Sequence, residues 1–443
     1  MAQLLPHAAR LAEAIAARMA RVAVLGLGYA GLPLAEAFVQ AGFPVLGYDV
    51  DPERIESLRR GQSYLGHFAG GRIEALRATG RFEATGDETR LADADVLLIC
   101  VPTPLTEARE PDLSAVCAAA RAIARHLKPG RLVVLESTTY PGTTRTVVQP
   151  LLEDSGLRGG RDFFLAYSPE REDPGNREHT TATIPRVVGG IDDASGRLAG
   201  QLYGSAVRQV VPVSSAEVAE ACKVLENTYR AVNIALVNEL KVLYQRMGID
   251  VWEVIEAAKT KPFGYQPFYP GPGWGGHCIP IDPFYLAWVG RKVGVPARFV
   301  ELAGEINTAM TEYVVERLTD ALNERQRAVR GSKVLLLGMA YKRDVDDCRE
   351  SPGLELLARL TGKGAEVCYN DPHVPRLEAA RHGFDLVSQP LTEALLRRQD
   401  AVLIVTDHSA YDWQWLVTHA RLVIDTRNAT HGVRGPFAHV VKA

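Results

Sequence analysis

This sequence predicts an α/β chain: two doubly wound parallel-sheet domains joined by a central domain of long helices. Three observations predict it. Short β-rich apolar runs alternate with helical patterns up to residue 212. Two long helical patterns follow, with no strand pattern between them. Strand–helix alternation then returns after residue 328 and echoes the first part. Apolar runs joined by helices indicate a parallel sheet covered on both faces.

The elements run in order. Residues 1–20 read as a helical leader; Arg10, Glu13 and Arg18 interrupt it, so it is not a signal peptide. The domain 21–212 opens with the strand "RVAVLGLG", the helix "LPLAEAFVQAG", the strand "FPVLGYDV" and the helix "PERIESLRRG". "DADVLLICVP", "RLVVLEST", "FFLAYSPE" and "RVVGG" read as later strands. The central domain, 213–327, begins with one long helix, with Ser214 and Glu217 as a capping box and Gly248 as its stop. A short helix, "DVWEVIEAAK", precedes the loop "PGPGWGGHCIPID", and a second long helix starts near Pro296. The last domain, 328–443, repeats the plan with "SKVLLLGMAYK", "AEVCYNDP", "DAVLIVTD" and "RLVIDTRN".

Composition narrows the function classes. The chain has 443 residues, 47% hydrophobic and 23% charged, which suits a globular protein of two or three domains. A net charge of −3 speaks against a nucleic-acid binder or a polybasic membrane binder. No apolar run approaches the length of about 20 residues that a membrane helix needs. Six scattered cysteines contain no C-x-x-C pair, so neither a disulfide framework nor a zinc cluster is expected. A reducing, cytoplasmic setting fits this usage.

Gly26, Gly28 and Gly31 form G-x-G-x-x-G after a strand and at the start of a helix. The glycines permit the tight turn, close approach of pyrophosphate, and close helix packing, while the helix N-terminus offers N–H groups to phosphate. Asp49 ends the second strand, where a carboxylate accepts from ribose hydroxyls and repels a 2′-phosphate, favouring NAD over NADP. This is a Rossmann pattern, and the C-terminal copy is Rossmann-like. That copy keeps only Gly338 and follows it with Lys342 and Arg343. With Arg349 and Arg427, these cations suit a phosphate-bearing ligand held by side chains.

Cys278 sits in a loop of glycine and proline, four residues before Asp282. A thiolate there is a nucleophile; a buried inert cysteine or a metal ligand beside His277 are the alternatives, and a lone His–Cys pair argues against metal. Lys223 and Asn227 share one helix face, either toward a common ligand or toward solvent.

Together these pieces are similar to the nucleotide-sugar 6-dehydrogenases, which include UDP-glucose and UDP-N-acetylhexosamine dehydrogenases. The resemblance runs from about Arg21 to Asn428. It rests on "GLGYAGLPLA", "CVPTPL", "ESTTYPGTT", "YSPEREDPG", "KVLENTYRAVNIALVNEL", "PGPGWGGHCIPIDPFYL", "GMAYKRDVDDCRESP" and "IDTRN". It implies a four-electron oxidation of the sugar C6 with two NAD per turnover, in which Cys278 carries a thiohemiacetal and then a thioester. Lys223 and Asn227 would stabilise the oxyanion, Asp282 would order the hydrolytic water, and Glu170 would act as acid/base or support that water. Thr138 would lie near the first step. The resemblance places Gly26, Gly28, Tyr29, Ala30, Gly31, Asp49, Arg54, Thr103, Thr138 and Arg349 at the cofactor. It places Glu170, Arg171, Lys223, Asn227, Tyr269, Gly273, Gly275, Lys342 and Arg427 at the UDP-sugar.

The chain departs from the UDP-glucose branch at Ile281, where that branch has lysine, and in "PEREDPG". Both departures, and the lead-in "PFGYQPFYPGPG", resemble the bacterial UDP-N-acetylglucosamine dehydrogenases of surface-polysaccharide pathways (O-antigen or capsule). The expected substrate is therefore UDP-N-acetylglucosamine; UDP-GalNAc, UDP-ManNAc or UDP-glucose is the alternative. A homodimer or dimer-based homo-oligomer is implied, with no nucleic-acid or membrane partner. A two-electron hydroxyacid dehydrogenase would need neither Cys278 nor a second Rossmann-like domain, and a silent sensor would not need the intact Cys278, Lys223, Asn227 and Asp282.

Overall fold

The structure, a computed structural model, describes residues 6–65, 68, 70–106, 108–171, 182–276, 279–379, 383–435 and 437–443. The chain divides into two compact units, Met1–Glu226 with Phe284–Val295, and Asn227–Pro283 with Pro296–Ala443. The division falls inside the long helix Ala216–Arg246.

The first unit is built on eight strands: β1 (Val22–Leu25), β2 (Val45–Tyr48), β3 (Phe82–Thr85), β4 (Val96–Ile99), β5 (Leu132–Leu135), β6 (Phe164–Tyr167), β7 (Arg186–Gly190) and β8 (Val210–Pro212). Their order is β3-β2-β1-β4-β5-β6-β7-β8. From β3 to β6 every pairing is parallel, with Val22 opposite both Val45 and Val96. Side chains alternate across the sheet, so Val22 and Val24 join one core while Ala23 and Leu25 join the other. Both faces are thus buried, which is why these strands are continuous apolar runs.

Two expectations are corrected here. The strand "RVVGG" is β7, but it pairs antiparallel to β6. A parallel neighbour needs a crossover, usually helical, and the described residues between β6 and β7 hold no helix. The capping residue of the long helix is Ser215, not Ser214: the Val218 N–H donates to Ser215 Oγ at 3.4 Å. With Ser215 as the cap, Glu217 stands at the second helical position and not at the third that a capping box needs, and its carboxylate pairs with Arg145 at 2.6 Å.

The leader forms the helix Pro6–Ala16. Ala8, Leu11 and Ile15, one apolar stripe at helical spacing, are buried in the same core as Leu198 and Leu202 of the helix Asp193–Tyr203.

The second unit carries β9 (Lys333–Leu337), β10 (Glu366–Asn370), β11 (Arg376–Ala379), β12 (Phe384–Val387), β13 (Ala401–Ile404), β14 (Val423–Asp425) and β15 (Val440–Lys442). The sheet order β10-β9-β13-β14-β15 is parallel throughout, and β11 and β12 form a separate antiparallel pair. The helix Arg298–Asn323 buries Val314, Val315, Leu318, Ala321 and Leu322 with Val334 and Leu336 of β9. Among the described residues no helix is long and apolar enough to cross a membrane.

Candidate functional site

In the first unit β1 ends in the glycine turn. Gly26 has φ +93°, and a Cβ there would lie 2.7 Å from the Cys100 carbonyl oxygen. At Gly31 a Cβ would lie 1.8 Å from the Gly26 oxygen, so the helix Gly31–Gln40 can start where it does only with glycine. Gly28 is different: a Cβ there would meet nothing within 4 Å. That side is open, and no side chain caps the helix, whose N-cap residue is Ala30. Uncapped N–H groups beside open backbone are what a pyrophosphate requires, so these residues fit a dinucleotide.

Asp49 follows β2 and is almost fully buried. Its Oδ2 accepts the Leu27 N–H at 2.8 Å and its Oδ1 the Asp51 N–H at 3.0 Å. Arg54 reaches Oδ2 at 3.4 Å and lies over the Tyr64 ring. Asp49 is thereby fixed next to the glycine turn with Arg54 beside it. The Thr103 carbonyl accepts the Tyr285 hydroxyl at 2.6 Å.

Thr138 lies half-buried just beyond β5, in the stretch "ESTTYPGTT". Glu136 at its start is buried with Arg186 and Tyr203, both of which donate to its carboxylate. Glu220 holds the stretch from the other end, and its type and position were not singled out by sequence reasoning. Its Oε2 accepts the Gly142 N–H at 2.5 Å, and its Oε1 accepts the Thr144 N–H at 2.8 Å and hydroxyl at 2.7 Å. Burial raises Glu220 to about 7, against these hydrogen bonds, which favour its charged form. Glu220 is one turn before Lys223, so one helix carries both. Lys223 is buried; its Nζ donates to the Glu170 carbonyl at 2.5 Å and lies 3.7 Å from the Glu170 carboxylate. Arg171 is engaged by Glu226, at 2.5 Å, and by the Pro185 carbonyl.

In the second unit Asn227 donates to the carboxylate of Asp282, which is buried. His277 and Cys278 lie outside the described residues. The loop leading to them is pinned tightly. A Cβ at Gly275 would lie 2.8 Å from the Tyr341 Cβ, and one at Gly271 would lie 2.6 Å from Arg427 Nη1. Gly273, at φ +136°, sits against Thr311 and Asn307. The Gly276 N–H donates to the Arg349 carbonyl at 3.1 Å, while the Arg349 guanidinium pairs with Asp347 at 2.6 Å. Tyr269 stacks on Trp252 and donates to Glu256 at 2.8 Å. Glycine is needed at Gly271, Gly275 and Gly276 because the Arg427 guanidinium and the Tyr341 side chain press directly on the loop's backbone; the loop lies beside the segment that bears Lys342 and against Arg427.

Two buried asparagines escaped the sequence reading. Asn238 donates to Asn307 at 2.8 Å and accepts the Gly271 N–H at 3.0 Å. Asn238 stands eleven residues, three helical turns, after Asn227, and that spacing was its signal.

Arg427 donates from Nε to the Val405 carbonyl at 2.8 Å. Among the described residues no carboxylate lies within ion-pair distance of its guanidinium. Desolvation, then repulsion from Arg343, lowers it to about 10, so it remains a cation at neutral pH. The five described cysteines are all free thiols. Burial pushes Cys100 well up and Cys348 to about 12, so both are poor nucleophiles.

Family models match along most of the chain. Residues 20–207 match the NAD binding domain of the UDP-glucose/GDP-mannose dehydrogenase family, 217–309 its central domain, and 335–432 its UDP binding domain. The chain is 38% identical over 401 residues to the UDP-N-acetyl-D-glucosamine 6-dehydrogenase of Pseudomonas aeruginosa, covering 88% of this chain and 91% of that protein. It is 35% identical over 414 residues to the UDP-N-acetyl-D-mannosamine dehydrogenase of Pyrococcus horikoshii, covering 92% and 95%. A solved structure of the UDP-D-ManNAc dehydrogenase from Pyrococcus horikoshii superposes with a TM-score of 0.86 at 34% identity, over 95% of this chain and 98% of that one.

Proposed function

The chain belongs to the UDP-glucose/GDP-mannose dehydrogenase family, and on that footing we propose that it oxidises C6 of UDP-N-acetylglucosamine to the carboxylate. The observation that carries the reading is the glycine loop, packed against Tyr341 and Arg427 and running directly into Cys278. NAD, when bound, accepts a hydride in each of two oxidations. Cys278 attacks the aldehyde of the first oxidation to give a thiohemiacetal; loss of the second hydride leaves a thioester, and water releases the acid and the thiol. Covalent capture keeps the aldehyde from escaping between steps. Lys223 and Asn227 stabilise the tetrahedral oxyanion. Asp282, held by Asn227, orders the hydrolytic water, and Glu170, beside the Lys223 amine, serves as acid/base. Thr138 supports the first step. Gly26, Gly28, Gly31, Tyr29, Ala30, Asp49, Arg54, Thr103 and Arg349 hold the cofactor. Arg171, Tyr269, Gly273, Gly275, Lys342 and Arg427 hold the UDP-sugar.

The long helix exposes Leu225, Tyr229, Leu236, Leu243 and Met247 along one stripe, which supports a homodimer. The product would feed surface-polysaccharide assembly in the cytoplasm. A second reading, oxidation of UDP-N-acetylmannosamine, is favoured by the similarity to the Pyrococcus enzyme. The test is NADH counted per sugar across a UDP-sugar panel. Two NADH with the acetylated gluco sugar, abolished by Cys278→Ala, is expected; no NADH with that sugar would remove the first choice.

A further inference from the structure

The second sheet repeats the turn-and-acid arrangement of the first. Gly338 follows β9 with φ +80°, as Gly26 follows β1, and a Cβ there would meet the Thr406 oxygen at 2.4 Å. Asp371 follows β10, as Asp49 follows β2. The two acids are used differently. Asp371 accepts N–H groups of Met339 (2.6 Å), Ala340 (3.0 Å), His373 (2.8 Å) and Val374 (3.1 Å), and faces His408 Nε2 at 3.1 Å. Its acceptor capacity is consumed by the protein. His408 is fully buried, and its Nδ1 faces the Asp344 N–H at 2.9 Å. A backbone N–H can only donate, so Nδ1 is the acceptor and the ring proton sits on Nε2, toward Asp371.

Asp344 has φ +59°, a left-handed conformation unusual for a residue with a side chain. Its carboxylate accepts the Ser409 N–H at 2.8 Å and hydroxyl at 2.5 Å. The chain turns there directly after Lys342 and Arg343, and Arg343 pairs with Asp407. Asp344, His373 and His408 also bring one ligand atom each within 4.8 Å. Both His408 nitrogens are already engaged, so that grouping is a hydrogen-bond relay and not a cation site.

We propose that His408 is the positioning residue of the diphosphate site: it links Asp371 to Asp344 and so fixes the turn that presents Lys342 and Arg343 to a nucleoside diphosphate. This rests on the reading that the second unit binds UDP. The same relay closes Asp371 to a ribose, so this copy of the fold takes its nucleotide through cations and not through an acid.

The test is calorimetric titration of the full chain with UDP and, separately, with NAD, together with steady-state kinetics, for His408→Ala, His408→Asn and His408→Gln. Asparagine places an acceptor near Nδ1 and can keep the Asp344 contact; glutamine reaches toward Asp371 and leaves the Asp344 N–H unmet. Alanine and glutamine should weaken UDP about tenfold and raise KM for the UDP-sugar with kcat and NAD affinity kept. Asparagine should restore UDP affinity to within about threefold. Equal affinities for the asparagine and glutamine variants, or wild-type UDP binding by the alanine variant, would overturn the proposal. Loss of NAD and UDP binding together in all three variants would also overturn it, as a role in folding only. A wild-type chain that takes no UDP would overturn the underlying reading as well.

Discussion

Replacing Arg427 with methionine sets ligand affinity against the stability of the ligand-free protein. The guanidinium is held by one carbonyl bond from Nε, and Nη1 lies against Gly271. Desolvation and the neighbouring Arg343 charge both disfavour it, which is why it falls to about 10. A diphosphate bound there would offset both penalties with opposite charge and accept from the outer nitrogens. A hydrogen bond to a charged group is worth about 1.5–3 kcal/mol, so Arg427→Met should weaken UDP about ten- to hundredfold. Removing a partly buried cation that lacks a carboxylate partner should leave the ligand-free protein as stable as before, or more so. The assay is UDP titration of the full chain beside a thermal scan without ligand. UDP affinity within about twofold of wild type would refute the anion role, because one lost bond already exceeds that. A clear drop in Tm would refute the energetic argument, because it would mean that the charge is compensated in the free protein.

Gly28→Ala should fold normally, since its Cβ meets nothing in the protein, yet lose NAD affinity by more than about tenfold, since the methyl would stand where pyrophosphate approaches; NAD titration with a thermal scan checks both halves. Glu220 makes the first unit more stable in acid. Its folded value, about 7, lies above the usual 4.5, so its contribution is complete below 4.5 and is lost as pH rises through 7. That shift is worth about 3 kcal/mol, and Glu220→Gln should remove that slope from Tm measured between these limits; an unchanged profile would count against it. Leu236→Glu, on the exposed stripe of the long helix, should abolish the homodimer proposed for this face, read as a fall to monomer mass in light scattering without loss of helix content; an unchanged mass would count against that face.

Much of this was legible in the residues. The glycine turn and the buried acid after β2 were legible in spacing alone, because a tight turn and a buried strand end each restrict the residue type. The loop before Cys278 was legible as special because proline and glycine exclude regular structure. Strand direction at β7 was not legible, because direction depends on the connection and not on the strand's own composition. Glu220 and His408 were hidden for another reason. A glutamate on a helix and a histidine after a strand usually face water, and only the fold shows what donates to them. The buried stripe Ala8, Leu11 and Ile15 was present in the spacing, but the core it joins is completed by Leu198 and Leu202, which stand far along the chain.

That stripe bears on what the chain loses if its leader is removed. Met19 is the first methionine beyond the leader helix and lies just upstream of β1. A chain trimmed back to that residue would retain every motif of the glycine turn, the loop and the basic segment. It would nonetheless strip Leu11 and Ile15 from the core, forfeiting about 3–6 kcal/mol of apolar burial and uncovering Leu198 and Leu202. A chain shortened to Met19 would therefore be intact in every recognisable signature and prone to aggregate.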